Sequence, residues 1–161
     1  MQATSTEIER LLTSLSEAPR RLALITGSLE NARLQTKSEQ DAWSVNDILA
    51  HLRSCADVWG KSILAMITQD NPTLQYISPR TWLKKTDYRQ QEFHLSLQTF
   101  IQQRHALLAS LKLLGFEDWS RMATFTGTVK GREQTIFSYV QRIVEHETQH
   151  ITQIESGLSA M

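Results

Sequence analysis

The stretch His146-Glu147-Thr148-Gln149-His150, within Ile143-Val144-Glu145-His146-Glu147-Thr148-Gln149-His150-Ile151-Thr152-Gln153-Ile154, decides how this chain folds. It holds no glycine or proline, and its apolar residues recur at three- and four-residue spacing, which predicts a helix. Residues four apart on a helix are offset by only about 40° and stack on one face. Both imidazoles can therefore reach one ion, and a borderline-soft divalent metal needs at least one further protein donor. Without that donor the pair is two hydrogen-bonded histidines at the margin of a packed stripe.

Upstream, three more amphipathic segments complete a set of four. The first starts at Thr4 or Ser5 and carries Ile8, Leu11, Leu12, Leu15, Leu22, Ile25 and Leu29 on one stripe, either bent at Pro19 or split there into collinear pieces. The polar segment from Glu30 to Trp43 reads as a connection. Ser44-Val45-Asn46-Asp47 has a hydroxyl with an acid three residues on, the signature of a helix start. Val45, Ile48, Leu49, Leu52, Ala56, Trp59, Ile63 and Met66 form the buried face that follows, with His51 at its edge. Thr68 to Thr86, broken by Pro72 and Pro79, is a crossover or a lid. A third helix runs from about Asp87 to Leu113 with Phe93, Leu97, Phe100, Leu107 and Leu111 inward, His94 and His105 at the surface or rim, and Gly115 as a left-handed stop. Thr124 to Gly131 has hairpin chemistry or is an irregular loop. The last helix starts near Glu133 to Thr135 and ends at Gly157.

Four such segments with almost no strand signal predict an all-α four-helix bundle with a long crossover, as a single domain over residues 1–161. Metal sites in bundles are built between facing helices from inward side chains. His51, His146 and His150 meet that description and leave a coordination position open. Lysine plus arginine equals aspartate plus glutamate at 17 each, which argues against a nucleic-acid partner. A single cysteine gives no sign of an oxidising compartment. The first residues lack a basic region followed by an apolar core, and no apolar run reaches membrane-spanning length. A cytoplasmic protein with no membrane partner is expected.

Trp43-Ser44-Val45-Asn46-Asp47-Ile48-Leu49-Ala50-His51-Leu52, a crossover, and the final histidine motif together resemble the DinB/YfiT-like superfamily over nearly the whole chain. The resemblance implies a four-helix bundle whose three histidines, here His51, His146 and His150, hold a divalent metal. It also implies a metal-dependent enzyme of the thiol-dependent transferase or hydrolase type, acting on a small molecule with a low-molecular-weight thiol as a possible cosubstrate. The alternative is a stress-related binding protein with a structural or vestigial metal. Three histidines suit zinc and nickel about equally.

The motif is also literally His-Glu-x-x-His, but peptidases with it draw their third ligand from downstream, where Glu155 lies on the wrong side of the helix. Glu147 lies within the stripe of Val140, Ile143, Val144, Ile151 and Ile154. It either orients a histidine, acts as a base beside the ion, or reaches a basic residue on a neighbouring helix. Gln153 stacks with His146 and His150 and either binds substrate or caps a polar network. Cys55, one turn beyond His51, either packs as a small apolar residue or supplies a fourth ligand. Trp59, Trp82 and Trp119 on partly exposed segments suggest a homodimer. With helices two and four antiparallel, the mouth of the site is bordered by Glu30–Trp43 and the end of helix three. The crossover then lies at the far end unless it folds back, in which case Arg80, Lys84 and Lys85 bring positive charge towards an anionic cosubstrate.

Overall fold

The computed structural model describes residues 2–38, 42–127 and 132–159. In chain order the elements are α1 (Ser5–Thr26), α2 (Asn31–Gln35), α3 (Val45–Thr68), β1 (Thr73–Gln75), α4 (Pro79–Leu83), α5 (Phe93–Lys112), β2 (Met122–Thr126), β3 (Glu133–Thr135) and α6 (Ile136–Ser159). Helix α1 starts at a reciprocal cap between Thr4 and Glu7, and α3 at one between Ser44 and Asp47, each bond of the latter 3.0 Å long. Arg121 closes the far end of α3, donating to the carbonyls of Met66 at 2.8 Å and Gln69 at 2.9 Å.

Two buried clusters stack along the bundle. One gathers Ile8 and Leu15 of α1, Trp59, Ile63 and Met66 of α3, Leu108 and Leu111 of α5, and Ile136, Tyr139, Val140 and Ile143 of α6. The other gathers Ala18 and Leu22, Val45 to Leu52, Phe93 to Phe100, and Ile151 and Ile154. Membership by position gives the directions: α3 and α5 run one way, α1 and α6 the other. Two consecutive long helices that run parallel require a crossover.

That crossover has its own structure. It begins with β1, which pairs in parallel with β2 (Leu74 opposite Phe125), while β2 pairs antiparallel with β3 (Ala123 opposite Gln134). The small sheet ties the bottom of α3 to the entry of α6. The chain then climbs back along α3 through α4 and a 3-10 turn at Tyr88–Gln90. Asp57 holds it there: its Oδ2 accepts from the Trp82 indole at 2.9 Å and the Tyr88 hydroxyl at 2.6 Å, and its Oδ1 accepts from Gln103.

Several expectations need correction. Of the two alternatives for the first segment, the continuous helix through Pro19 holds, while the connection after it contains a short helix, α2. The third helix starts at Phe93 rather than Asp87, because the preceding residues form the 3-10 turn. Gly115 has φ −71°, not a left-handed conformation, and the helix ends at Leu113 in a right-handed one. The hairpin exists between β2 and β3, with its residues 128–131 outside the described ones. Trp59 and Trp119 are buried at 6% and 3% exposure, so of the three tryptophans offered as a reason for a homodimer only Trp82, half-buried, is not core.

Candidate metal centre

The boundary between the two apolar clusters is a polar layer. His51 reaches it from the second turn of α3, and His146 and His150 reach it from α6. The Nε2 atoms of His51 and His146 are 2.9 Å apart. The rings of His51 and His150 have centroids 5.1 Å apart, and those of His146 and His150 4.5 Å. Cys55, on the same face of α3 as His51, places Sγ 3.6 Å from His51 Nε2. One donor atom from each of His51, Cys55 and His146 lies within 4.8 Å of the others. Gln153 accepts from Nδ1 of His150 at 2.8 Å, which leaves the Nε2 of that ring with its lone pair.

Electrostatics keep His51 and His146 neutral. Burial first, then the neighbouring histidines and the cations of Arg80 and Arg89, push His51 down to about 3. Burial, His150 and Arg80 push His146 down to about 4. Burial and the nearby Glu147 carboxylate raise the Cys55 thiol, against a smaller opposing effect of Arg80. Nδ1 of His51 is buried with no hydrogen-bond partner among the described residues. Neutral, convergent nitrogen lone pairs with a thiol beside them are a donor set for a divalent ion of the zinc or nickel kind.

Glu147 turns away from this cluster. It is 4% exposed and forms a two-pronged ion pair with Arg104 of α5, itself 3% exposed, one bond being 3.0 Å. The same guanidinium donates at 2.9 Å to the carbonyl of Leu15. In an uninterrupted helix that carbonyl would serve the N–H four residues on, but residue 19 is proline and has none. Pro19 thus exposes an acceptor inside α1, and Arg104 fills it. Glu147 was foreseen as a possible partner of a basic residue, but Arg104 itself was missed. Its signal was present, since it interrupts the inward series Phe93, Leu97, Phe100, Arg104, Leu108, Leu111 at helical spacing.

The open side of the histidine cluster is roofed by Trp43, whose indole is stacked with the His150 ring at 6.4 Å between centroids and 16° between planes. Arg80 of α4 and Arg89 of the 3-10 turn lie over the same indole at 5.1 and 5.4 Å. With Leu83, Lys84, Thr86 and Gln90 they line a cleft of about 440 Å³. The folded-back crossover therefore borders a cleft that meets the histidine cluster at Trp43. No residue of α5 lines that cleft. Arg80 and Lys84 line this cleft, while exposed Lys85 is not part of its lining. Trp43 and Arg89 were not singled out from the sequence, where an aromatic before a helix cap and a lone arginine in a turn carry no visible function.

A helical bundle with a crossover and a buried histidine–cysteine cluster between antiparallel helices is a class of small metal-site protein. Residues 14–154 match the model of the DinB superfamily, and the chain belongs to that family. A Bacillus licheniformis protein named "Putative metal-dependent hydrolase" is 26% identical over 163 aligned positions, covering 100% of this chain and 90% of that one. The solved structure of YfiT from Bacillus subtilis, described as a probable metal-dependent hydrolase with an unusual four-helix bundle topology, has the same fold. It superposes with a TM-score of 0.83 at 17% identity, over 96% of this chain and 87% of that one. No helix among the described residues is long and apolar enough to cross a membrane.

Proposed function

We propose that this protein is a metal-dependent enzyme that binds one divalent ion, zinc or nickel, at His51, His146 and His150. It acts on a small molecule by thiol-dependent transfer or by hydrolysis. The observation that carries the reading is the 2.9 Å approach of two neutral imidazole nitrogens from facing helices, that of buried His51 and that of half-buried His146. An ion held there supplies a Lewis acid that lowers the pKa of a thiol or water beside it and polarises an electrophile. The protein's own residues do the rest. Gln153 fixes the tautomer and direction of the His150 ring. Trp43 covers the cluster and offers an aromatic face to a ligand. Arg80, Lys84 and Arg89 make the approach attractive to an acidic substrate or to a thiol that carries carboxylates. Glu147, engaged by Arg104, supports α6 rather than serving as the base.

A binding protein with a structural ion is the competing reading, favoured by the burial of His51 and Cys55. The test is turnover by zinc- and nickel-loaded protein, followed as thiol consumption with electrophilic substrates and as ester or amide hydrolysis without thiol. Turnover that disappears in His51→Ala supports the enzyme. Full metal loading with no turnover in either format, and no change in the metal's spectrum on adding thiols, supports the structural role.

A further inference from the structure

The family resemblance leaves Cys55 without a function, yet this residue lies closest to the histidine pair from the interior. Helix α3 presents His51 and Cys55 four residues apart, and α6 presents His146 and His150 four residues apart. Donor atoms of three of these residues, His51, Cys55 and His146, lie within 4.8 Å of one another, and the His150 ring packs against both histidines. Bond lengths of about 2.3 Å to sulfur and 2.0–2.1 Å to nitrogen give a tetrahedral sulfur–nitrogen edge of about 3.5 Å. The measured separation of Cys55 Sγ from His51 Nε2 is 3.6 Å. The His51–His146 edge, 2.9 Å, needs to open by only about 0.4 Å to match a tetrahedron of nitrogen ligands. Cys55 is 3% exposed, and its Sγ lies within 4.8 Å of donor atoms of both histidines.

Resting on the metal-centre reading above, we propose that Cys55 is a direct ligand of the ion and supplies a thiolate from the buried side. Coordination forms a metal–sulfur bond and breaks the S–H bond, and the proton leaves to solvent. His51 and His146 bind the ion between the helices, and His150 stands on the side that faces Trp43 and the cationic cleft. A substrate entering from the cleft would approach the ion from the side of His150 and Trp43. The soft donor also has a consequence for selectivity. Thiolate favours zinc over harder ions such as manganese and magnesium, whereas a purely imidazole set discriminates less.

The chain has a single cysteine, so any thiolate signal can only be that of Cys55. The experiment is the absorption spectrum of the full chain, stripped of metal and loaded with cobalt(II) in thiol-free buffer. The expected result is a near-ultraviolet thiolate-to-cobalt charge-transfer band beside the visible cobalt bands. In Cys55→Ser and Cys55→Ala the charge-transfer band disappears while visible bands persist. Their zinc affinity falls by more than the ~10–100-fold typical of changes to outer residues of a metal site, with a smaller loss for manganese. Visible cobalt bands in the unmodified protein without a charge-transfer band overturn Cys55 as ligand and leave the histidine centre standing. Failure to retain cobalt at all overturns both. The decisive spectrum is that of the unmodified chain, so a poorly folding variant does not blunt the test.

Discussion

Arg104→Met is the substitution whose cost follows most directly from the structure. Methionine keeps much of the arginine stem's volume and removes the guanidinium, which stands between the Glu147 carboxylate of α6 and the Leu15 carbonyl of α1. Breaking a buried ion pair from one side costs about 3–5 kcal/mol, because the other charge stays buried without a partner. Stranding the Leu15 carbonyl adds about 1–3 kcal/mol. The two overlap as the site relaxes, so about 4–6 kcal/mol is the expected loss. For a chain of this size each kcal/mol moves the melting temperature by about 2–4 °C, which puts the shift above about 8 °C. Urea denaturation at neutral pH measures it. Pro19→Ala supplies the internal control, because it returns an N–H to the Leu15 carbonyl. In the Arg104→Met background it should restore about 1 kcal/mol more than in the unmodified chain, as a double-mutant cycle reads it. A loss below about 1 kcal/mol for Arg104→Met, or no coupling to Pro19, would refute the role given to this polar layer.

Three further outcomes are expected. In the metal-free protein, His51 near 3 and His146 near 4 lie below the ordinary 6.5, so the unfolded chain binds more protons between those values. Stability should therefore be full above pH 6.5 and fall as pH drops towards about 4; denaturation midpoints of His146→Gln should fall less over that window, and equal slopes would contradict the assignment. Asp57→Ala removes the acceptor of Trp82, Tyr88 and Gln103, so amide exchange over residues 79–90 should accelerate at least about tenfold. Metal content should stay unchanged, and unaltered exchange would show that the crossover is held by something else. Neutralising Arg80, Lys84 and Lys85 together should raise the KM for an acidic cosubstrate roughly three- to tenfold with metal content constant. Adding Arg89→Gln should raise it further because Arg89 lines the cleft and Lys85 does not, and an unchanged KM would reduce this segment to a connection.

The bundle was legible in the sequence because its signals are periodic and local. The Ser44–Asp47 cap, the seven-residue spacing of Ile8, Leu15 and Leu22 in α1 and the histidine spacing of α6 need no knowledge of partners. The polar layer was half legible. Ile136, Val140, Ile143, Glu147, Ile151 and Ile154 in α6 repeat the spacing of Phe93, Leu97, Phe100, Arg104, Leu108 and Leu111 in α5, each with one charge in the same place. A charge on an apolar stripe demands a buried partner, and two complementary interruptions at matching positions name each other. The crossover was not legible. Its return along α3 depends on Asp57 accepting from three residues 25, 31 and 46 positions away, and no local pattern encodes that. The burial of Trp119 was likewise hidden, because the small sheet that closes the lower end draws its strands from segments rich in turn residues.

Metal stoichiometry tests the central claim most directly. Protein stripped with chelator, reloaded with zinc and freed of excess should hold close to one ion per chain by elemental analysis. His51→Ala and His146→Ala should each hold almost none, and His150→Ala should bind with weakened affinity, while helical content by circular dichroism is retained in all three. Full zinc content in all three variants, or none in the unmodified chain, would contradict a metal centre between these helices.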